Sequence, residues 1–177
     1  MAWMDSKGVR PSLLMADKEF VPSPMVTKQV RNGIAYFTLH WSPLQKVEKY
    51  TIINSVPAEA GIFELYYLDD AKKLVLMRVS RVWYGGLRSS LRSIVDPDVE
   101  KDHAYRKILN ERVCYFRYTV IRSADDMDDV LYFFAGRYAP RQSEVTHSGR
   151  YGEIYLEEKS PNRITTTGSP RTERKRE

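Results

Sequence analysis

Two stretches of alternating apolar and polar residues dominate the chain. In the first, Gly61-Ile62-Phe63-Glu64-Leu65-Tyr66-Tyr67-Leu68 is rich in β-branched and aromatic residues. Ile62, Glu64, Tyr66 and Leu68 share one face of the predicted strand, and Phe63, Leu65 and Tyr67 the other. A polar turn, Asp69 to Lys73, separates it from a second strand over Leu74 to Val82, so the two form a β-hairpin with a loop longer than two residues. Trp83-Tyr84 and the pair Gly85-Gly86 follow. Leu87, Leu91 and Ile94 then recur at helical spacing with Arg88 and Arg92 beside them, and Asp96-Pro97 stops the helix. In the second alternating stretch, Glu111 to Arg122, both faces are largely apolar, which predicts a strand covered on both sides.

Weaker patterns fill the rest. Val26 to Val30 and Ile34 to Trp41 flank Arg31-Asn32-Gly33, and Asn-Gly supplies the positive φ of a tight hairpin turn. Pro43 breaks that pattern, and Gln45 to Asn54 leads into the central hairpin. Lys101 to Asn110 predicts a short helix with Ala104, Ile108 and Leu109 as its apolar side. After Ser123, with Asp126 three residues on as a short-armed capping box, Met127, Val130, Leu131 and Phe134 form the core stripe of a helix closed by Gly136 and Pro140. Tyr151 to Glu157 adds an edge strand. The expected class is α+β: a small mixed or antiparallel sheet flanked by helices, with an extra hairpin at the amino end. One domain is expected over 26–158, between a flexible arm (1–25) and a disordered basic tail (159–177).

Charge changes this picture locally. From Ala71 to Val95 the chain carries Lys72, Lys73, Arg78, Arg81, Arg88 and Arg92 and no acid, a pattern suited to phosphate or another anion. The plainer alternative is a set of solvated charges protecting an exposed strand. The formal net charge is +5, but residues 159–177 hold six bases and two acids, or +4, so residues 1–158 carry only +1. A chain coated in positive charge is therefore excluded. No run of about 18 apolar residues exists and the amino end lacks a secretory signal pattern. Cys114 is the only cysteine, so no intrachain disulfide forms and a cytoplasmic location is expected. His40, His103 and His147 lack partners at ligand spacing. Asp125, Asp126, Asp128 and Asp129 offer oxygen ligands, although capping and solvation explain most of them. Gly85-Gly86 follows a strand and opens a helix, as a phosphate loop does, but no Walker lysine or dinucleotide fingerprint accompanies it.

The order of these features resembles a divergent GIY-YIG nuclease domain over roughly residues 41–139: a strand opening on Gly61-Ile62-Phe63, a polar turn, a second strand, an arginine-bearing helix, a strand and a capped helix. The resemblance implies a tyrosine in the first motif that helps activate water, a helix arginine that steadies phosphate and a glutamate that holds a divalent metal. Here Phe63 stands at the tyrosine position, and the second motif falls at Leu76-Met77-Arg78, which keeps neither its tyrosine nor its glycine. Arg88 best matches the arginine, followed by Arg92, and Asp128 falls at the glutamate position with a shorter arm. The implied function is a catalytically weakened or inactive module binding nucleic acid or a protein partner through Lys72, Lys73, Arg78, Arg81, Arg88 and Arg92. One alternative is an active endonuclease using Tyr84, Arg88 and, through Asp128, magnesium or manganese. The other is an assembly protein joining a larger complex by its basic tail. No membrane partner is expected.

Overall fold

The computed structural model describes residues 23–138 and 146–164. In chain order these form β1 (Val26–Arg31), β2 (Ile34–His40), β3 (Gln45–Lys46), α1 (Lys49–Ser55), β4 (Gly61–Leu68), β5 (Leu74–Val82), α2 (Gly86–Ile94), α3 (His103–Glu111), β6 (Cys114–Val120), α4 (Ala124–Tyr138) and β7 (Glu153–Lys159). The class is α+β, but the strands divide between two sheets, β1-β2-β7 and β3-β6-β4-β5. The amino-terminal hairpin is thus not an appendage. It takes up β7 parallel to β2, from Ile34 opposite Glu153 to His40 opposite Lys159. Its turn uses positive φ at Asn32 (52°) and Gly33 (77°), the conformation that Asn-Gly favours.

The second sheet holds the two most apolar strands at its centre. β4 pairs antiparallel with both β5 and β6, and a bulge at Leu65/Tyr66 sets Met77 outside the β5 register. Successive residues of β4 face opposite ways and meet different cores. Phe63 and Leu65 pack with Ile52 of α1 and Val56 just after it, Leu87 and Leu91 of α2, and Phe116 and Tyr118 of β6. Ile62 packs with Met127, Val130 and Phe134 of α4 and with Ala35, Phe37 and Leu39 of β2. The second core therefore joins α4 to both sheets. Each fully buried large side chain contributes roughly 1.5–3 kcal/mol.

Between the sheets lies a buried ion network. Glu64 and Arg117 are register partners on β4 and β6, with Arg117 Nε donating to Glu64 at 2.5 Å. Arg117 also reaches Glu158 of β7 at 3.3 Å and lies 4.2 Å from the Trp41 ring, and the Trp41 indole donates to Glu158 at 3.0 Å. The Tyr66 hydroxyl donates to Glu64. These contacts tie the two sheets together through charges that fill each other's hydrogen-bonding needs.

Several expectations change. Residues 49–55 form a helix, α1, where only a connection was expected. Its one fully buried side chain, Ile52, gives no visible period. The apolar side of α3 is Ile108 and Leu109 with Tyr105, which donates to the Met77 carbonyl on the edge of β5, whereas Ala104 is exposed. α4 continues through Gly136 to Tyr138, and Pro140 lies outside the described residues. The Asp126 backbone N–H donates to the Ser123 hydroxyl oxygen at 3.3 Å as the cap, while the Asp126 carboxylate turns to Lys28 and Arg150. At the end of the expected flexible arm, Pro24 accepts from Val120 N–H at 2.8 Å and Met25 from His40 N–H at 3.3 Å. The rest of that arm, and the tail beyond residue 164, lie outside the described residues. Among the described residues, no helix is long and apolar enough to cross a membrane.

Candidate functional site

The start of α2 is shaped by close backbone approach. Gly85 and Gly86 both have positive φ, and a Cβ on Gly86 would come within 2.7 Å of the Ala58 backbone. The first donors of the helix are taken up by that same segment: Leu87 N–H bonds Glu59 O at 2.8 Å and Arg88 N–H bonds Pro57 O at 3.2 Å. Gly86 therefore serves packing against residues 57–59, which take up the helix's first donors, while Gly85 supplies the left-handed turn before it. The same approach places Arg88, whose Nε donates to Val56 O at 2.7 Å. Its side chain lines a cleft of about 330 Å³ together with Ser55, Asn54, Tyr118, Pro24 and Arg122. Arg122 is held there by Glu59 at 2.8 Å.

Apart from Arg92, one turn on along α2, the remaining basic residues do not gather around Arg88. Alternation along β5 sends Arg78 and Arg81 to opposite faces of the sheet, opposite Leu65 and Ile62 respectively. Arg78 pairs with Glu100 at 3.3 Å and lies over the Tyr105 ring at 4.5 Å. Arg81 pairs with Asp128 at 3.0 Å. Lys72 and Lys73 are exposed at the hairpin tip, where Asp69 fixes the turn and Lys72 has φ 58°. Arg92 is exposed on the last turn of α2, beside a cleft of about 680 Å³ that it shares with Lys49, Ile52, Val95, Asp96 and Leu109. At the other end of α2, Tyr84 is 88% exposed and Trp83 40% exposed, so both offer ring faces to solvent.

The nuclease arrangement implied by the resemblance is not assembled. Phe63 is fully buried in the core. Arg88 belongs to the α2 side of the four-stranded sheet, whereas Asp128 belongs to α4, which packs on the opposite face. Phe63, Arg78, Arg88 and Asp128 consequently share no groove. Asp128 pairs with Arg81 at 3.0 Å on that opposite face, away from Arg88. The other aspartates of α4 are engaged as well. Asp129 is completely buried and accepts from Ser148 N–H (2.7 Å), Ser148 Oγ (2.9 Å) and Arg150 (2.8 Å), while Asp126 binds Lys28 and Arg150. They clamp residues 148–150 onto the helix. Among the described residues, no group of three or more His, Cys, Asp or Glu is placed to hold a metal ion. Cys114 is buried, and that burial pushes its thiol up to about 11, far from a reactive thiolate.

The interactions that sequence reasoning missed are the Glu64–Arg117–Glu158 tie and the Asp129–Arg150 clamp. The first had a signal: a lone acid and a lone base in the two most apolar strands. Burial lowers the Arg117 pKa, and the Glu64 carboxylate, with Tyr66 and Glu158, more than offsets it, so the guanidinium stays charged. The clamp had no comparable signal, since its partners lie about twenty residues apart across a polar connection. A family model described as an uncharacterised protein matches residues 25–177. No curated protein and no solved structure matches the chain.

Proposed function

The chain belongs to that uncharacterised family, and we propose that it is a binding module rather than a nuclease, with the Arg88–Arg92 side of α2 taking phosphates of a single-stranded nucleic acid. The observation that carries this reading is how the arginines are divided. Arg78, Arg81, Arg112, Arg117, Arg122 and Arg150 each meet a carboxylate. Arg88 and Arg92 meet none among the described residues; Arg31, Arg106 and Arg163 meet none either, but only Arg88 and Arg92 of these stand four residues apart on one helix. Arg88 is held by a carbonyl through Nε only, which favours a fixed guanidinium with terminal nitrogens available to an anion. Trp83 and Tyr84 precede the same helix and offer stacking faces to bases. The order of hairpin, arginine-bearing helix, strand and capped helix supports a GIY-YIG-like core as part of this proposal. The separation of Arg88 from Asp128 supports a version that binds without cutting.

Two phosphate contacts on a single strand give a salt slope of about −1.4 in log affinity against log salt. Fluorescence anisotropy with a labelled oligonucleotide should show Arg88→Ala/Arg92→Ala losing about that much of the slope relative to wild type, with Tyr84→Ala weakening binding about fivefold or more. Equal affinities and slopes for wild type and the double variant would remove the α2 site. If binding then disappears on deleting 159–177, the tail-mediated assembly reading takes its place, which the +1 charge of residues 1–158 favours. Cleavage of the oligonucleotide with magnesium or manganese, abolished by Arg88→Ala, would replace binding with nuclease activity.

A further inference from the structure

We propose that the chain self-associates into a twofold dimer through the free edge of β7, joining two three-stranded sheets into one of six. β7 has β2 on one side and no strand on the other among the described residues, so its outward backbone groups form a template for another strand. Its inward residues Ile154 and Leu156 are only half-buried, which leaves apolar surface at that edge for a second copy to cover. The long edge of the four-stranded sheet differs: on β5 the Tyr105 hydroxyl bonds the Met77 carbonyl, and Arg78 is held beside it by Glu100.

The sequence of β7 selects the partner. Directly opposed residues in an antiparallel pair lie on the same face of the sheet. A strand pairing with its own copy about a twofold axis must therefore be centred on a residue. Centring on Tyr155 sets Glu153 against Glu157, and centring on Glu157 sets that glutamate against itself; both place like charges in contact. Centring on Ile154 pairs only Glu153 to Tyr155 of the strand, whereas centring on Leu156 pairs all seven residues: Glu153 against Lys159 twice, Tyr155 against Glu157 twice and Leu156 against Leu156, with Ile154 against Glu158 twice on the inner face. Glu153, Tyr155, Glu157 and Lys159 all lie exposed on the open face, where these pairs would form. Tyr155 already stacks on Tyr36 at 5.4 Å with the rings 12° apart, which holds its ring on the open face beside the Glu157 of the second copy. In this register the two Lys159 residues stand about 20 Å apart, six residue steps of strand, and the two basic tails begin there.

Sedimentation equilibrium on the full chain should give twice the monomer mass of 20.6 kDa. Lys159→Glu turns both seam pairs into Glu–Glu contacts and should weaken association about tenfold or more. Glu153→Lys/Lys159→Glu restores opposite charges in the same register and should restore the dimer. A wild-type monomer at every concentration overturns the proposal. A dimer indifferent to Lys159→Glu, or one that the double reversal fails to restore, overturns it equally. If a variant does not fold, amide exchange of wild-type Glu153–Lys159 decides: slower exchange at higher protein concentration supports the seam, and concentration-independent exchange overturns it.

Discussion

Arg117 shows how one side chain can determine whether two sheets cohere. It is 7% exposed and serves Glu64 and Glu158 from one guanidinium while stacking on Trp41. Arg117→Ala would leave Glu64 buried and charged with only a tyrosine hydroxyl for company. The expected loss is about 3–5 kcal/mol of unfolding free energy, read from the urea midpoint. A change below about 1 kcal/mol would mean that the network is solvated and does not tie the sheets. Arg88, by contrast, is half-buried at the rim of its cleft, and its alanine variant should leave the fold nearly unaltered. At this scale the sequence named Arg88 as a candidate but could not rank it above Arg78 or Arg81. The ranking depends on which carboxylates arrive from other elements: Glu100 ahead of α3 for Arg78, and Asp128 on α4 for Arg81.

Among the elements, the junction of β5 and α2 is specified most tightly. Gly85 and Gly86 have nearly the same φ, but a Cβ on Gly85 meets nothing within 4 Å whereas one on Gly86 strikes Ala58. Gly85→Ala should therefore cost only left-handed strain, about 1–2 kcal/mol. Gly86→Ala adds displacement of the Ala58 segment, and with it the bonds from Pro57 and Glu59 to the helix start, so its loss should be clearly larger. Equal losses in urea denaturation would show that the segment moves freely. The β4–β5 hairpin was legible because its alternation is long and its turn polar. α2 was legible because Leu87 and Leu91 recur four residues apart beside paired arginines. α1 was hidden because its seven residues lack an acidic first turn and a side-chain cap, so neither period nor punctuation marks it.

For the molecule as a whole, the inter-sheet network makes stability depend on alkaline pH. Burial, aided by Glu64, raises the Tyr66 hydroxyl well above its ordinary 10.0. The unfolded chain releases this proton near pH 10 while the folded chain keeps it. The folded state then binds more protons, and stability falls as pH rises above 10, by up to about 1.4 kcal/mol per pH unit from this group. Below pH 9 the group contributes no slope. Denaturation at pH 8, 10 and 11 should show wild type converging on Tyr66→Phe, which lacks the titrating hydroxyl; a constant difference would contradict the linkage. By itself the sequence determined the α+β class, most strands, the α2 arginines and the near-neutral body, because alternation, turn chemistry and charge are local properties. Only the tertiary structure decided that β7 returns parallel to β2, that Glu64 meets Arg117, and that Arg88 and Asp128 lie across a sheet from each other. Those facts depend on which faces pack together, and a strand's period leaves that choice open until its neighbours fill one side.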